Sequence, residues 1–299
     1  MATASALEAE AEGLAGKLLL GLIGSGIQRS LTPAMHEQEA RHHGLRLHYQ
    51  LIDLDTAGRG VEALPGLIEA ARVMGFAGLN ITYPCKQAVI ALLDDLSDEA
   101  RAMGAVNTVV FRDGRAVGYN TDGWGWAWGF RRALPDASLR KVVLLGAGGA
   151  GSAIAHAALR LGVQHLVVVD SDGARAQQLA GELAARHGDA QVSTSTEVAS
   201  ALQGATGLIH ATPTGMDKLP GLPLDAALLR PDLWVSEIVY FPLDTALLKA
   251  ARARGCATVD GGTMAAGQAI GAFELFTGRP PDAQRMEGHL RRMLAQRQG

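Results

Sequence analysis

The run Gly146-Ala147-Gly148-Gly149-Ala150-Gly151 constrains the fold of this chain more than any other segment. It follows KVVLL (141–145), an apolar run of strand length, and opens a helically spaced stretch reaching about Leu161. In a strand–G-x-G-x-x-G–helix unit, the first glycine permits the tight turn. The second lets the backbone approach an anion, and the third lets helix and strand pack closely. The helix N-terminus adds N–H donors and the positive end of a dipole. The next apolar run, HLVVVD (165–170), ends on Asp170, 22 residues beyond Gly148. A carboxylate there accepts hydrogen bonds from ribose hydroxyls and repels a 2′-phosphate, so the pattern points to a dinucleotide, with NAD favoured over NADP. Arg175 is the first base after Asp170, behind Asp172. It is the group that would pair a phosphate if Asp170 only closed a turn.

The rest of the chain alternates in the same way. LLLGLIG (18–24), LRLHYQLID (45–53), GFAGLNI (75–81) and AVNTVVF (105–111) read as strands, and 33–43, 59–73 and 86–93 between them have helical spacing. Thr32-Pro33 reads as a helix start, with the hydroxyl at the cap and proline at the first helical position. The polar segment 131–140, which contains Pro135, reads as a joint. After it, KVVLLG, HLVVVD, GLIHAT (207–212), LWVSEIV (233–239) and CATVD (256–260) form a second series, and from Met264 onward the pattern is helical, with a break at Gly278–Pro281. The fold class expected is α/β in two domains with a cleft between them. A mainly parallel substrate domain spans 17–130, with helices from 264–299 packing back onto it, and a Rossmann-type dinucleotide domain spans 131–263.

With 299 residues, two cores are expected rather than one. A charged fraction of 19% and a formal net charge of −3 give no basic patch for nucleic acid. Two cysteines, Cys85 and Cys256, cannot build a disulfide framework and fit a reducing cytoplasm. No apolar run approaches a membrane span, and residues 1–16, rich in Ala and Glu, read as a frayed or helical extension without a basic start. The histidines at 36, 42, 43 and 48 lack metal-ligand spacing, so no metal is expected. Arg291, Arg292 and Arg297 read as a solvated helix face, and Trp124, Trp126 and Trp128 as packing between the domains.

Two loops concentrate polar chemistry. NITYPCK (80–86) and NTDGWG (120–125) each follow a strand-like run, and they hold the amine Lys86 and the carboxylate Asp122. Oxidation of an alcohol needs a base for the hydroxyl proton. Lys86 can serve in its neutral form, or by passing the proton through a network that includes Asp122. Hydroxyls at the start of the Pro33 helix suit a carboxylate, because helix N-termini favour anions.

Taken together and in order, SLTPAMH (30–36), NITYPCK, GAVNT (104–108), NTDG, GAGGAG, ATPTGM (211–216) and DGGTMAAGQA (260–269) resemble the shikimate dehydrogenase family over nearly the whole chain. VVVDSD and IVYFP look most like its NAD-dependent quinate/shikimate dehydrogenases. The resemblance implies that Lys86 and Asp122 are the catalytic pair and that Ser30 and Thr32 bind the substrate carboxylate. It further implies that Thr82, Asn107 and Gln268 bind ring hydroxyls, that Tyr240 lies near the carboxylate, and that Asn80 and Asn120 support their loops. Thr212 and the Thr214–Met216 loop lie beside the nicotinamide by the same resemblance. The implied partner is a cyclic polyhydroxy carboxylic acid, and the protein is expected as a monomer or homodimer. Three positions depart from the usual pattern: Thr32 for serine, Cys85 for an aromatic or histidine, and Thr263 for glycine.

The resemblance implies reversible NAD-dependent oxidation of a ring hydroxyl of quinate or shikimate to the 3-dehydro acid. The alternatives are an NADP-dependent biosynthetic shikimate dehydrogenase, a relative acting on another polyol acid, and a non-catalytic sensor of NAD and a metabolite.

Overall fold

The structure, a computed structural model, describes residues 17–188 and 191–298. The expectation for residues 1–16 lies outside that range. The backbone divides into two units. The first holds the described residues up to Asn120 with Ala269–His289, and the second holds Thr121–Gln268 with the residues from Leu290 on.

In the first unit, strands β1 (Lys17–Gly24), β2 (Arg46–Asp53), β3 (Gly78–Ile81), β4 (Asp95–Leu96), β5 (Thr108–Arg112) and β6 (Arg115–Tyr119) form one sheet in the order β2-β1-β3-β5-β6-β4. β1 pairs in parallel with β2 and β3, but β5 runs antiparallel to both β3 and β6. Five of the six strands run in one direction and only β5 is reversed, so the sheet is mainly parallel, as expected, with one antiparallel strand. The cause is a hairpin at Asp113-Gly114, whose φ values of 52° and 74° suit the type I′ turn that reverses a strand in two residues. Helices α1 (Thr32–His42), α2 (Leu64–Val73) and α3 (Asp98–Met103) accompany this sheet. Instead of the helix expected over 86–93, a short 3₁₀ turn spans Ala88–Leu92. Ile23, Leu54, Leu64, Ile68, Leu79, Ile81 and Val109 fill one core cluster.

The second unit holds a six-stranded, wholly parallel sheet. Its strands are β7 (Lys141–Leu145), β8 (His165–Val169), β9 (Gln191–Ser195), β10 (Gly207–His210), β11 (Trp234–Glu237) and β12 (Thr258–Val259), in the order β12-β11-β10-β7-β8-β9. That is the doubly wound order in which ligands bind beyond the carboxyl ends of the strands where the order reverses, here between β7 and β10. Alternate residues of β7 and β8 feed opposite faces. Val142, Leu144, Leu166 and Val168 pack with helices α5 (Gly149–Leu161) and α6 (Gly173–Arg186), and Val143, Leu145, Val167 and Val169 pack into a second cluster. The latter cluster includes residues of α7 (Val198–Ala201) and α8 (Ala246–Ala253).

The unit boundary falls at Asn120/Thr121, ten residues before the expected joint. Helix α4 (Asp122–Ala133) belongs to the second unit because Trp126 and Phe130 stack on one another and join the cluster around α5, with Phe130 against Trp234. Trp126 also donates to Ser236 Oγ at 2.9 Å, so it is core of this unit. The C-terminal region is likewise shared. Helices α9 (Gly261–Thr277) and α10 (Ala283–Gln298) each divide between the units rather than belonging wholly to the first. No helix among the described residues is long and apolar enough to cross a membrane.

Candidate active site

In the first unit, the ends of β1 and β3 and the start of antiparallel β5 share one edge of the sheet. Ile81 N–H donates to Asn107 O at 2.8 Å, Thr82 N–H to Ile23 O at 2.9 Å, and Val106 N–H to Lys86 O at 2.8 Å. Thr82, Lys86 and Asn107 are thus fixed through their main chain on neighbouring segments. A Cβ on Gly24 would collide with the Thr82 methyl, so glycine there lets the β1 end approach this loop. Lys86 is half-buried and Asn107 buried.

Ser30 and Thr32 also come together, with the Ser30 hydroxyl donating to Thr32 Oγ1 at 3.1 Å. The cap differs by one residue from the sequence expectation. Leu31 is the N-cap and makes no side-chain cap bond, Thr32 is the first helical residue and Pro33 the second. Both hydroxyls still lie at the first turn, where anions are favoured. The same unit holds a buried amide network. Tyr49 Oη donates to Asn80 Oδ1 at 2.6 Å, and Asn80 Nδ2 donates to Asn107 O and Thr108 Oγ1. Thr108 Oγ1 in turn donates to Asn107 Oδ1 at 2.9 Å. Asn80 ties Tyr49 to the Asn107–Thr108 segment, and Asn120 donates to Ala105 O at 3.0 Å, so both brace loops. Cys85 is fully buried in the core cluster, and burial pushes its thiol pKa up, away from reactivity.

In the second unit, the glycine run has the geometry its spacing predicts. Gly146 sits at φ +104°, where a side chain is strained, and a Cβ on it would come within 2.7 Å of Ala211 O. A Cβ on Gly151 would collide with Gly146 O. Gly148, the N-cap of α5, and Gly149 have nothing within 4 Å of a Cβ position, which leaves the backbone there open to a ligand. These features and the first turn of α5 fit the pyrophosphate of a dinucleotide, with Ala147 and Ala150 between the glycines.

Asp170 lies just beyond β8, and its carboxylate closes the same loop. Oδ2 accepts from Ala147 N–H at 2.7 Å and Oδ1 from Asp172 N–H at 2.9 Å. Burial pushes its pKa up, but these N–H donors, Arg175 and the Ser171 hydroxyl outweigh that and hold it below the usual carboxylate range. Arg175 is half exposed, 3.9 Å from Asp170 and 3.5 Å from Asp172, and Asp172 caps α6 through Ala174 and Arg175 N–H. The only base of this segment therefore faces two carboxylates.

Asp122 and Gln268 are brought toward one another by a helix crossing. A Cβ on Gly125 would collide with Gln268 N, and one on Gly267 would lie 2.7 Å from Gly125 Cα, so α4 and α9 touch backbone to backbone. Asp122, buried at the first turn of α4, lies one turn before that contact. Gln268 donates to Ala265 O at 3.0 Å. Thr263 has a packing role, its methyl covering Gly129 and its hydroxyl bonded to Asp260 at 3.2 Å. Arg291 clamps both Asp260 oxygens at 3.0 and 3.3 Å, so it is an anchored side chain and not part of a solvated face. Tyr240 is exposed on the loop after β11. Among the described residues, no group of three or more His, Cys, Asp or Glu is placed to hold a metal.

Sequence reasoning passed over a buried pair beside Thr212. His210 Nδ1 lies 2.8 Å from Glu237 Oε1 and its Nε2 lies 2.6 Å from Thr212 Oγ1, with the His210 and Glu237 side chains fully buried. The available signal was a titratable residue ending each of two buried strands, GLIH and WVSE.

A family model described as the shikimate dehydrogenase substrate binding domain matches residues 22–109, one for the shikimate 5′-dehydrogenase C-terminal domain matches 262–291, and a ThiF family model matches 132–227. A protein of Streptomyces avermitilis named shikimate dehydrogenase (NADP(+)) is 59% identical over 90% of this chain and 93% of its own. The chain belongs to the shikimate dehydrogenase family. Another family member, named quinate/shikimate dehydrogenase (NAD(+)), from Corynebacterium efficiens, is 48% identical over 90% of this chain and 96% of its own. Among solved structures of the family, quinate dehydrogenase from Corynebacterium glutamicum in complex with NAD superposes with a TM-score of 0.87 at 46% identity, covering 91% of this chain and 98% of that one.

Proposed function

We propose that this family member is an oxidoreductase that reversibly oxidises a ring hydroxyl of quinate, shikimate or both to the 3-dehydro acid, with NAD as the preferred cofactor. Asp170 carries the cofactor preference. Its ionised carboxylate is bonded to the glycine loop, where it suits ribose hydroxyls and opposes a 2′-phosphate. Names of relatives support both cofactors, NAD at 48% identity and NADP at 59%, so the NADP-dependent shikimate enzyme is the second reading.

NAD, when bound, supplies the hydride acceptor. The remaining chemistry falls to this chain. Lys86 takes the proton of the hydroxyl being oxidised and returns it in the reverse direction. Asp122 orients the amine and binds the same hydroxyl. Ser30 and Thr32 hold the substrate carboxylate, with Tyr240 near it. Thr82, Asn107 and Gln268 pair the ring hydroxyls, each of which would cost about 1–3 kcal/mol if buried unpartnered. Gly146–Gly151, Asp170 and Thr212 hold the dinucleotide, and Arg175 lies beside the ribose carboxylate partner. The ligand is thus a cyclic polyhydroxy acid. Composition and two unpaired cysteines support a cytoplasmic location and give no reason to expect nucleic acid; the oligomer is taken as monomer or homodimer.

Initial rates on a grid of quinate or shikimate with NAD or NADP test this reading. Turnover with NAD is the expected result. Shikimate turnover confined to NADP would establish the second reading. A folded protein that binds NAD but turns over neither acid would overturn both.

A further inference from the structure

The strongest unassigned feature is the buried chain Thr212–His210–Glu237–Thr245. It links the segments that follow two adjacent strands, β10 and β11, at the carboxyl edge of the second sheet. Glu237 gathers donors. Oε1 accepts from Ile238 and Val239 N–H at 2.9 and 3.0 Å, and Oε2 accepts from the Thr245 hydroxyl at 3.0 Å. Thr245 in turn caps α8 by accepting from Leu248 N–H. A carboxylate in such a site only accepts, so His210 Nδ1 carries the proton between them. In the neutral ring, Nε2 is then an acceptor, and the hydroxyl of Thr212 donates to it. The Thr212 methyl faces the glycine loop, 3.0 Å from where a Cβ on Gly146 would sit.

We propose that His210, held by Glu237, is a positioning residue for the dinucleotide: it fixes the rotamer of Thr212 and with it the 211–216 segment against the glycine loop. The assignment rests on the reading of Thr212 as a cofactor contact. His210 itself is fully buried, with no surface open to a ligand. Its two arms have different consequences. The Nδ1 arm satisfies a buried carboxylate and holds the fold, while the Nε2 arm sets Thr212. An asparagine amide nitrogen occupies the place of Nδ1 and has nothing at the place of Nε2. His210→Asn therefore keeps a donor for Glu237 and cuts only the Thr212 link.

The test is the split between KM and kcat in His210→Asn, Thr212→Val and the double variant, each with Tm measured without ligand. His210→Asn should raise the KM for the dinucleotide about 3- to 10-fold, the worth of one hydrogen bond, while the KM for the acid stays put and kcat changes less. Thr212→Val should do the same, and the double variant should be no worse than Thr212→Val alone, because the two residues act through one bond. A purely structural role would lower Tm and the active fraction without moving the KM. If Thr212→Val raises the KM and His210→Asn does not, the positioning role is wrong and the reading of Thr212 stands. If Thr212→Val itself leaves the KM unchanged, that reading fails and the proposal fails with it. Should His210→Asn not fold, additive losses in Thr212→Val and Glu237→Gln would overturn the proposal equally well.

Discussion

Gly125 and Gln268 meet backbone to backbone, so closely that a Cβ on Gly125 would overlap the Gln268 nitrogen. This contact gives α4 and α9 their spacing, and with it the spacing of Asp122 and Gln268. It also decides the sign of a simple substitution. Alanine in a helix interior is favoured over glycine by about 1 kcal/mol, but overpacking costs about 1–3 kcal/mol. Gly125→Ala should therefore lower Tm and reduce kcat/KM for the acid. Gly181→Ala, in helix α6 with nothing within 4 Å of the new methyl, should raise Tm. Thermal unfolding of the two variants side by side checks this; a Gly125→Ala protein as stable as the wild type would mean that the helices separate without cost.

Asp170→Ser should reverse or level the cofactor preference. Removing the like charge is expected to raise kcat/KM with NADP relative to NAD about 10- to 100-fold, since a like-charge contact costs several kcal/mol. The absolute rate with NAD should fall as well, because Ala147 N–H loses its charged acceptor. Rates with both cofactors measure the ratio. An unchanged ratio would show that the carboxylate closes the loop and selects nothing.

The second unit was legible because buried parallel strands are written as continuous apolar runs, as in KVVLL and HLVVV, with the glycine signature after the first. The first unit was less so. The run AVNTVVF marked β5, yet RAVGY beyond the Asp113-Gly114 turn was not read as a strand, so the reversal of β5 was missed. The division at Asn120 could not be read because the spacing of Trp126 and Phe130 shows a buried face without naming its partner, which is Trp234. His210 and Glu237 are 27 residues apart and belong to no shared motif, so only the register of β10 with β11 reveals them as a pair. The glycine loop was legible because its positive-φ turn, close approach and helix start sit within six consecutive residues.

Lys86→Ala should collapse turnover by about 10²- to 10⁴-fold, the usual contribution of a positioned acid/base, with a much smaller change in the KM for the acid. The loop should survive the change, since its anchor is the backbone bond from Val106 N–H to Lys86 O. Steady-state kinetics with the ligand-free Tm as control separate the outcomes. Equal losses in kcat and affinity, or none in either, would remove Lys86 from the chemistry.

His36 gives the molecule an acid limit. The ring is completely buried among Tyr49, Phe273 and Phe276, and neither nitrogen finds a hydrogen-bond partner among the described residues. Burial lowers its pKa from 6.5 to about 3. The unfolded chain therefore binds this proton through a pH range in which the folded chain does not. Stability is unaffected above 6.5 and falls as the pH drops from 6.5 toward about 3, by about 1.4 kcal/mol per pH unit from this group. His36→Phe keeps a ring in the same site and removes both the titration and the unpartnered nitrogens. It should leave the fold at least as stable near neutrality and flatten the acid limb of Tm against pH. An acid limb as steep as in the wild type would assign that loss of stability to other groups.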